Sequence, residues 1–227
     1  MDAALTVVDE HGIDALTLAA VAQRTGVATP SLYKHVAGLG ELKTLIAARV
    51  MGDMTRHFTA AVLGRSGDDA VRALLDTYRD VVRRHPARYA AVPLDPLHDP
   101  ALARPGDELF DVVLATLRGY GLTGSAAVHA ARCLRAVAHG FSSLEAGGGF
   151  GLPEDLDQTW NQLIAAVLTT LRPVLRPWDD EATVAGAQAA MSSSAWVVSH
   201  YAAVLGFILV ALALLDLRDR AAAPATA

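Results

Sequence analysis

A chain of 227 residues, 52 % of them hydrophobic, is long enough for one or two domains with a real core, and abundant alanine with few alternating-polarity stretches points to an all-helical fold. One cysteine, Cys133, excludes an internal disulfide framework and fits a reducing cytosol, while the opening MDAALTVVDEHG lacks the basic n-region of a secretory signal. The formal net charge is −5, and residues 1–50 hold Arg24, Lys34, Lys43 and Arg49 against Asp2, Asp9, Glu10, Asp14 and Glu41, so any nucleic-acid affinity must come from a few well-aimed groups.

The first helix carries an apolar stripe of Ala4, Leu5 and Val8 and stops at Gly12, with Ile13 beyond it. Thr17 is placed to cap a second helix with Leu18, Val21 and Ala22 on its buried face. Gly26 supplies the turn residue tolerant of positive φ, and Val27 is expected to plug that turn into the core. Thr29 and Pro30 read as an N-cap followed by a first-turn proline, so a third helix starts there with Leu32 and Val36 inward. Two helices joined by a short glycine-containing turn, the second short and polar outside, make a helix-turn-helix. In that motif the second helix enters the major groove, N-terminal residues at the base edges.

The outward residues each suit that role. Thr29, Ser31 and the nearby backbone N–H groups fit phosphate oxygens, and the Tyr33 hydroxyl donates to another. Lys34 and His35 stand at the backbone edge, and Pro30 with the Thr29 methyl faces a thymine methyl. The stretch TLAAVAQRTGVATPSLYKHV, residues 17–36, resembles the DNA-binding region of TetR-type transcriptional regulators, whose pattern is T-L-x-x-V-A-x-x-x-G-V-x-x-x-x-L-Y-x-H. The resemblance implies a DNA interface of Thr17, Thr29, Pro30, Ser31, Tyr33, Lys34, His35 and Lys43. Two departures bear on it: members carry a few residues, often basic, ahead of the first helix, and a lysine at the start of the fourth, where this chain has Leu39 with Lys43 one turn on. The S-x-x-K of serine acyl-transferases also occurs, as SLYK, but no S-D-N or K-T-G follows it.

From Glu41 a fourth helix runs through Leu42, Leu45, Ile46 and Val50 to near Ala61, and RSGDD at 65–69 breaks and recaps the chain. The next helix shows Val71, Leu74, Leu75, Tyr78 and Val82 and stops at HPARY. Four prolines between 93 and 107 argue for loop, after which helices are expected over Glu108–Tyr120, Ser125–Ala146 and Glu154–Leu175. Leu134, Val137, Phe141 and Leu144, then Leu156, Trp160, Leu163, Val167, Leu168 and Leu171, form apolar seams that one neighbour cannot cover. The family resemblance implies that such helices join a homodimer, whose two heads reach successive major grooves of a palindromic operator. AHGFSSLEAGGGFGLP, residues 138–153, looks like the C-terminal domain of one TetR subgroup, with Ala138 where tryptophan is frequent; Gly147–Gly151 read as a hairpin between helices, since no strand precedes them and no G-K-[ST] follows. His129 and Cys133 stand four apart on a helix but lack further ligands, so the reading there is a buried cysteine and a partly exposed histidine, with no metal. Tyr78, Tyr89, Phe110, His139 and Trp160 are the candidates to line a pocket for a small hydrophobic effector.

Ala195–Leu215 is a 21-residue stretch without a charge, long enough to span a bilayer, and Arg218 and Arg220 follow it. Three readings stay open for it: a membrane anchor, an apolar helix packed on the body, or a fused reading frame beginning at Met191-Ser-Ser-Ser. The expected organisation is all-α: a three-helix head over 1–46 (motif 17–36), an antiparallel effector-binding and dimerisation domain over 47–178, and a linker with an appended apolar helix over 179–227. The expected function is a cytoplasmic, nucleoid-associated DNA-binding regulator, a repressor released from its operator by a small hydrophobic molecule, without catalytic residues or cofactor. The alternatives are a helical-bundle small-molecule carrier or a membrane-tethered regulator.

Overall fold

The computed structural model describes residues 1–171, which fold as helices and connecting turns. Expectations for 172–178 and for the tail, including the apolar segment 195–215, lie outside the described residues, among which no helix is long and apolar enough to cross a membrane. Three helices build the head: α1 (Asp2–His11), α2 (Leu18–Thr25) and α3 (Thr29–Leu32). The body follows as α4 (Leu39–Val62), α5 (Gly67–Arg84), α6 (Pro86–Ala90), α7 (Ala103–Leu117), α8 (Gly124–Ala146) and α9 (Leu156–Leu171).

The head core forms where the apolar stripes of α1 and α2 meet: Ala4, Leu5, Val7 and Val8 from one, Leu18 and Val21 from the other, closed by Leu16 and Val36. It is continuous with the body, because Leu42, Ile46, Val50, Met54 and Phe58 of α4 belong to the same cluster and Leu74 of α5 completes it. The boundary expected at residue 46 therefore falls inside one unbroken helix. α5 is the most strongly two-faced helix, with Val71, Leu74, Leu75 and Val82 inward, Asp68 and Asp69 in its first turn and Arg83 and Arg84 in its last, charges that oppose the helix dipole. α4 packs on α5 and α7, and α5 on α8. At one point backbones nearly touch: a Cβ at Gly119 would lie 2.6 Å from the Gly67 nitrogen, so the turn after α7 rests on the start of α5, where the Tyr120 hydroxyl donates to Asp68 at 2.7 Å.

Several local expectations need correction. Val27 does not plug the turn; it is 44 % exposed, because backbone closes the turn instead, with the Val27 N–H donating to the Ala22 carbonyl. Thr29 is the first residue of α3 and not its cap; extended Ala28 holds that place, its carbonyl accepting the Ser31 N–H at 2.8 Å. α4 starts at Leu39, two residues early, since the Glu41 carboxylate reaches back to the Ala37 N–H and satisfies a free donor at the helix start. α7 starts at Ala103 and not at Glu108: Pro105 sits in its first turn, where a missing N–H costs no hydrogen bond. Cys133 is exposed, not buried, and Leu45 and Leu144 of the apolar stripes are exposed as well.

Candidate functional site

The surface around α3 is assembled by two turn devices. The Thr17 hydroxyl accepts the Ala20 N–H at 3.0 Å and so fixes the start of α2. At its end Gly26, at φ 70 and ψ 21, takes the left-handed conformation that reverses the chain into α3. α3 itself is one turn of α-helix, prolonged by turns to Val36, with His35 and Val36 N–H groups donating to the Leu32 carbonyl. Leu32 and Val36 anchor it on the head core. That leaves Pro30, Tyr33, Lys34 and His35 exposed, Tyr33 by 58 %, with Thr29 and Ser31 half-buried beside them. Thr17 is exposed on the same head, its hydroxyl already held by the cap, and Lys43 is half-buried on α4.

Charge pairing sorts the four cations of the head. Arg24 is held by both Glu10 oxygens at 2.6 Å, and Arg49 by Asp53 at 3.0 Å. Lys34 and Lys43 form no ion pair among the described residues, so they carry the uncompensated positive charge of this surface.

The second feature is a cavity of about 410 Å³ between α5, α6, the segment after α6, and α8. That size lies within the usual range for small-molecule sites. Its walls are mostly apolar, from Val82, Pro86, Ala90, Val92 and Pro93; its polar groups are Tyr89, Arg135, His139 and Ser143. Two of the five expected pocket residues, Tyr89 and His139, line it. Tyr78 stands directly behind, its hydroxyl bonded to that of Tyr89, which in turn lies 2.5 Å from His139 Nδ1. The rings continue the row: Tyr78 meets Tyr89 edge-on at 5.8 Å and stacks on Phe58 at 5.7 Å. Burial pushes both phenols above the ordinary tyrosine range.

Phe110 and Trp160 do not line the cavity. Trp160 is a structural post: its Nε1 donates to Asp76 at 2.8 Å, its ring packs on Phe141 at 5.0 Å, and Arg79 lies over it. Arg79 is the buried cation of the body, bonded to both oxygens of Glu145 at 2.7 Å and to Asp157 at 2.8 Å, and so ties α5 to α8 and α9. Burial lowers the Arg79 pKa, but the Glu145 bond outweighs it and the net shift is upward.

Sequence reasoning missed Arg135, which donates to the Leu94 carbonyl, and Ser143. The signal was present: Arg135, His139, Ser143 and Gly147 recur every fourth residue along one face of α8 and its end. A third contact links the cavity's surroundings to the head. On α6, adjacent to cavity-lining Tyr89, Arg88 donates through Nε to Asp9 of α1 at 2.7 Å, and its Nη2 donates to the second Asp9 oxygen.

Known proteins resemble this chain in both parts. Residues 1–35 match the model of bacterial regulatory proteins of the tetR family, and residues 71–167 that of the tetracyclin repressor-like C-terminal domain. An uncharacterized HTH-type transcriptional regulator of Mycobacterium tuberculosis, Rv0681, is 36 % identical over 159 residues, covering 69 % of this chain and 72 % of that protein. The uncharacterized HTH-type regulator YobS of Bacillus subtilis is 31 % identical over 173 residues, covering 75 % and 90 %. Among solved structures, the regulator SCO7222, a TetR from Streptomyces coelicolor, shares the fold with a TM-score of 0.58 at 20 % identity, covering 75 % of this chain and 94 % of that one.

Proposed function

The chain belongs to the tetR family of bacterial regulatory proteins, and we propose that as a DNA-binding transcriptional regulator it acts as a dimeric repressor, released from a palindromic operator by a small molecule held in the α5–α6–α8 cavity. On this reading it is a binding protein and not an enzyme. The observation that carries it is the exposed face of α3, where Tyr33 is 58 % exposed beside Lys34, a cation with no ion-pair partner among the described residues. Tyr33 and Lys34 address phosphates, the Thr29 and Ser31 hydroxyls fix the register, and Pro30 with Ser31 meets the base edges. Thr17 and His35 stand at the flank, and Lys43 adds a second charge from α4.

α6 supports the switching part of the reading, because the residue facing the cavity and the residue gripping α1 are neighbours on one turn of helix. A ligand that binds the released arrangement more tightly than the DNA-bound one shifts the population between them; equal affinity would shift nothing. The test is a binding titration of the full chain against the DNA upstream of its own gene over a range of salt. Lys34 and Lys43 from two protomers make about four phosphate contacts, for which log Kd against log salt changes by about 3.6 per decade. Lys34→Ala should reduce that slope by about 1.8. Tyr33→Ala should weaken all DNA sequences alike, whereas Ser31 or Pro30 substitutions should alter which sequence is preferred. Binding that is insensitive to Tyr33 and Lys34 together would remove α3 from the interface.

A further inference from the structure

We propose that the molecule this cavity takes is an amphipathic carboxylate, with a compact apolar body against Val82 and Val92 and its anionic head on Arg135 and His139. The proposal rests on the cavity being the effector site and specifies what that site selects. Among the described residues no acidic side chain lines the cavity, while a guanidinium and an imidazole do. Arg135 differs from the arginines of the C-terminal half of α5 and of α6. Arg79, Arg83, Arg84 and Arg88 each hold a carboxylate, whereas Arg135 holds only the main-chain oxygen of Leu94. The nearby acid whose field it shares, Asp95, is engaged with His98 Nδ1 at 2.7 Å. The remaining N–H groups of the Arg135 fork are therefore available, in the geometry that receives a carboxylate.

His139 stands one turn further along α8, which brings the two side chains within reach of one head group. Its Nδ1 is occupied by Tyr89, and Nε2 has no partner among the described residues. The hydroxyl row has two proton orders. In one, Tyr78 donates to Tyr89 and Tyr89 donates to Nδ1, which puts the ring proton on Nε2 as a second donor. An anion selects that order. Exposure sets the orientation of the ligand: Arg135 is exposed and Val82 is buried, so the head lies at the mouth and the apolar body inside.

Octanoate, 1-octanol and octylamine form a matched series for calorimetric titration of the full chain. A charge-assisted bond to Arg135 predicts that octanoate binds about ten- to a hundred-fold more tightly than octanol, and that octylamine binds more weakly than either. Arg135→Met should abolish the preference for the acid over the alcohol, and Arg135→Lys should keep most of it. Ser143→Trp, which fills the cavity from α8, should remove binding of acid and alcohol alike. Octanol binding as tightly as octanoate, or a preference unchanged in Arg135→Met, overturns the carboxylate assignment while leaving the cavity reading intact if Ser143→Trp still blocks both. Binding that survives Ser143→Trp removes the cavity as the site and takes both readings with it. Absence of binding by octanoate also overturns the proposal.

Discussion

Replacing Glu145 with glutamine tests how the body is held together, because it removes one charge and almost no volume. Arg79 has only 7 % of its side chain exposed and Glu145 12 %, and the two share a two-pronged contact with both bonds at 2.7 Å. With the carboxylate neutralised, the buried guanidinium keeps Asp157, 71 % exposed, and the faces of Phe141 and Trp160 at 5.2 and 5.5 Å. Breaking a buried pair by removing one partner costs about 3–5 kcal/mol; the retained contacts put Glu145→Gln near the lower end, about 3 kcal/mol. In a domain of this size that is a fall of about 6–12 °C in melting temperature. Asp157→Asn touches the same arginine from the solvent side and should cost under about 1 kcal/mol. Thermal and urea unfolding at one fixed protein concentration, needed because a dimer's stability depends on it, measure both. The double variant Arg79→Met with Glu145→Gln no longer strands a cation and should be less destabilised than the sum of its single variants by more than about 1 kcal/mol. Equal losses for Glu145→Gln and Asp157→Asn, or additive behaviour in the cycle, would refute the reasoning.

Two further outcomes follow from local geometry. Gly26→Ala should destabilise the head by about 1 kcal/mol, measured by thermal unfolding; a Cβ there meets nothing within 4 Å, so the cost is that of a left-handed backbone alone. A loss of several kcal/mol would mean that the turn's role is not the conformational one. A double-mutant cycle of Asp9→Ala and Arg88→Ala should return a coupling of about 0.5–1 kcal/mol, because both side chains are only about 30 % exposed and their bond is two-pronged. Zero coupling would show that α6 does not hold α1 at this point.

Most helices were legible because their causes are local. Glycines at 12 and 26, the Thr17 cap and the three-and-four spacing of Val71, Leu74, Leu75, Tyr78 and Val82 act within a turn or two of where they stand. The start of α7 was misread for a related reason. Four prolines clustered between 93 and 107 read as loop, yet a proline's cost depends on position, and Pro105, like Pro30, lies where the helix has no bond to lose. Val27 is exposed because the Ala22 carbonyl, and not a hydrophobic side chain after the turn glycine, supplies the closure.

The candidate site was legible by halves, and the dividing line is separation along the chain. The α3 surface is built from residues within one short motif, so the exposure of Pro30, Tyr33 and Lys34 is legible from spacing, although Thr29 and Ser31 are half-buried. The cavity joins Tyr89 to His139 across 50 positions and Arg135 to Leu94 across 41, and no periodicity encodes which helix faces which. Trp160 shows the consequence. Its amphipathic ring made it as good a pocket candidate as Tyr89, and only its pairing with Asp76, 84 positions away, assigns it to packing. Arg135 needed no such long-range knowledge once His139 was suspected, since a residue four earlier on the same helix shares its face. A titratable candidate on a helix should therefore bring its i±4 neighbours into the candidate set; that rule adds Arg135, a cavity-lining cation whose partner is a main-chain carbonyl and not a carboxylate.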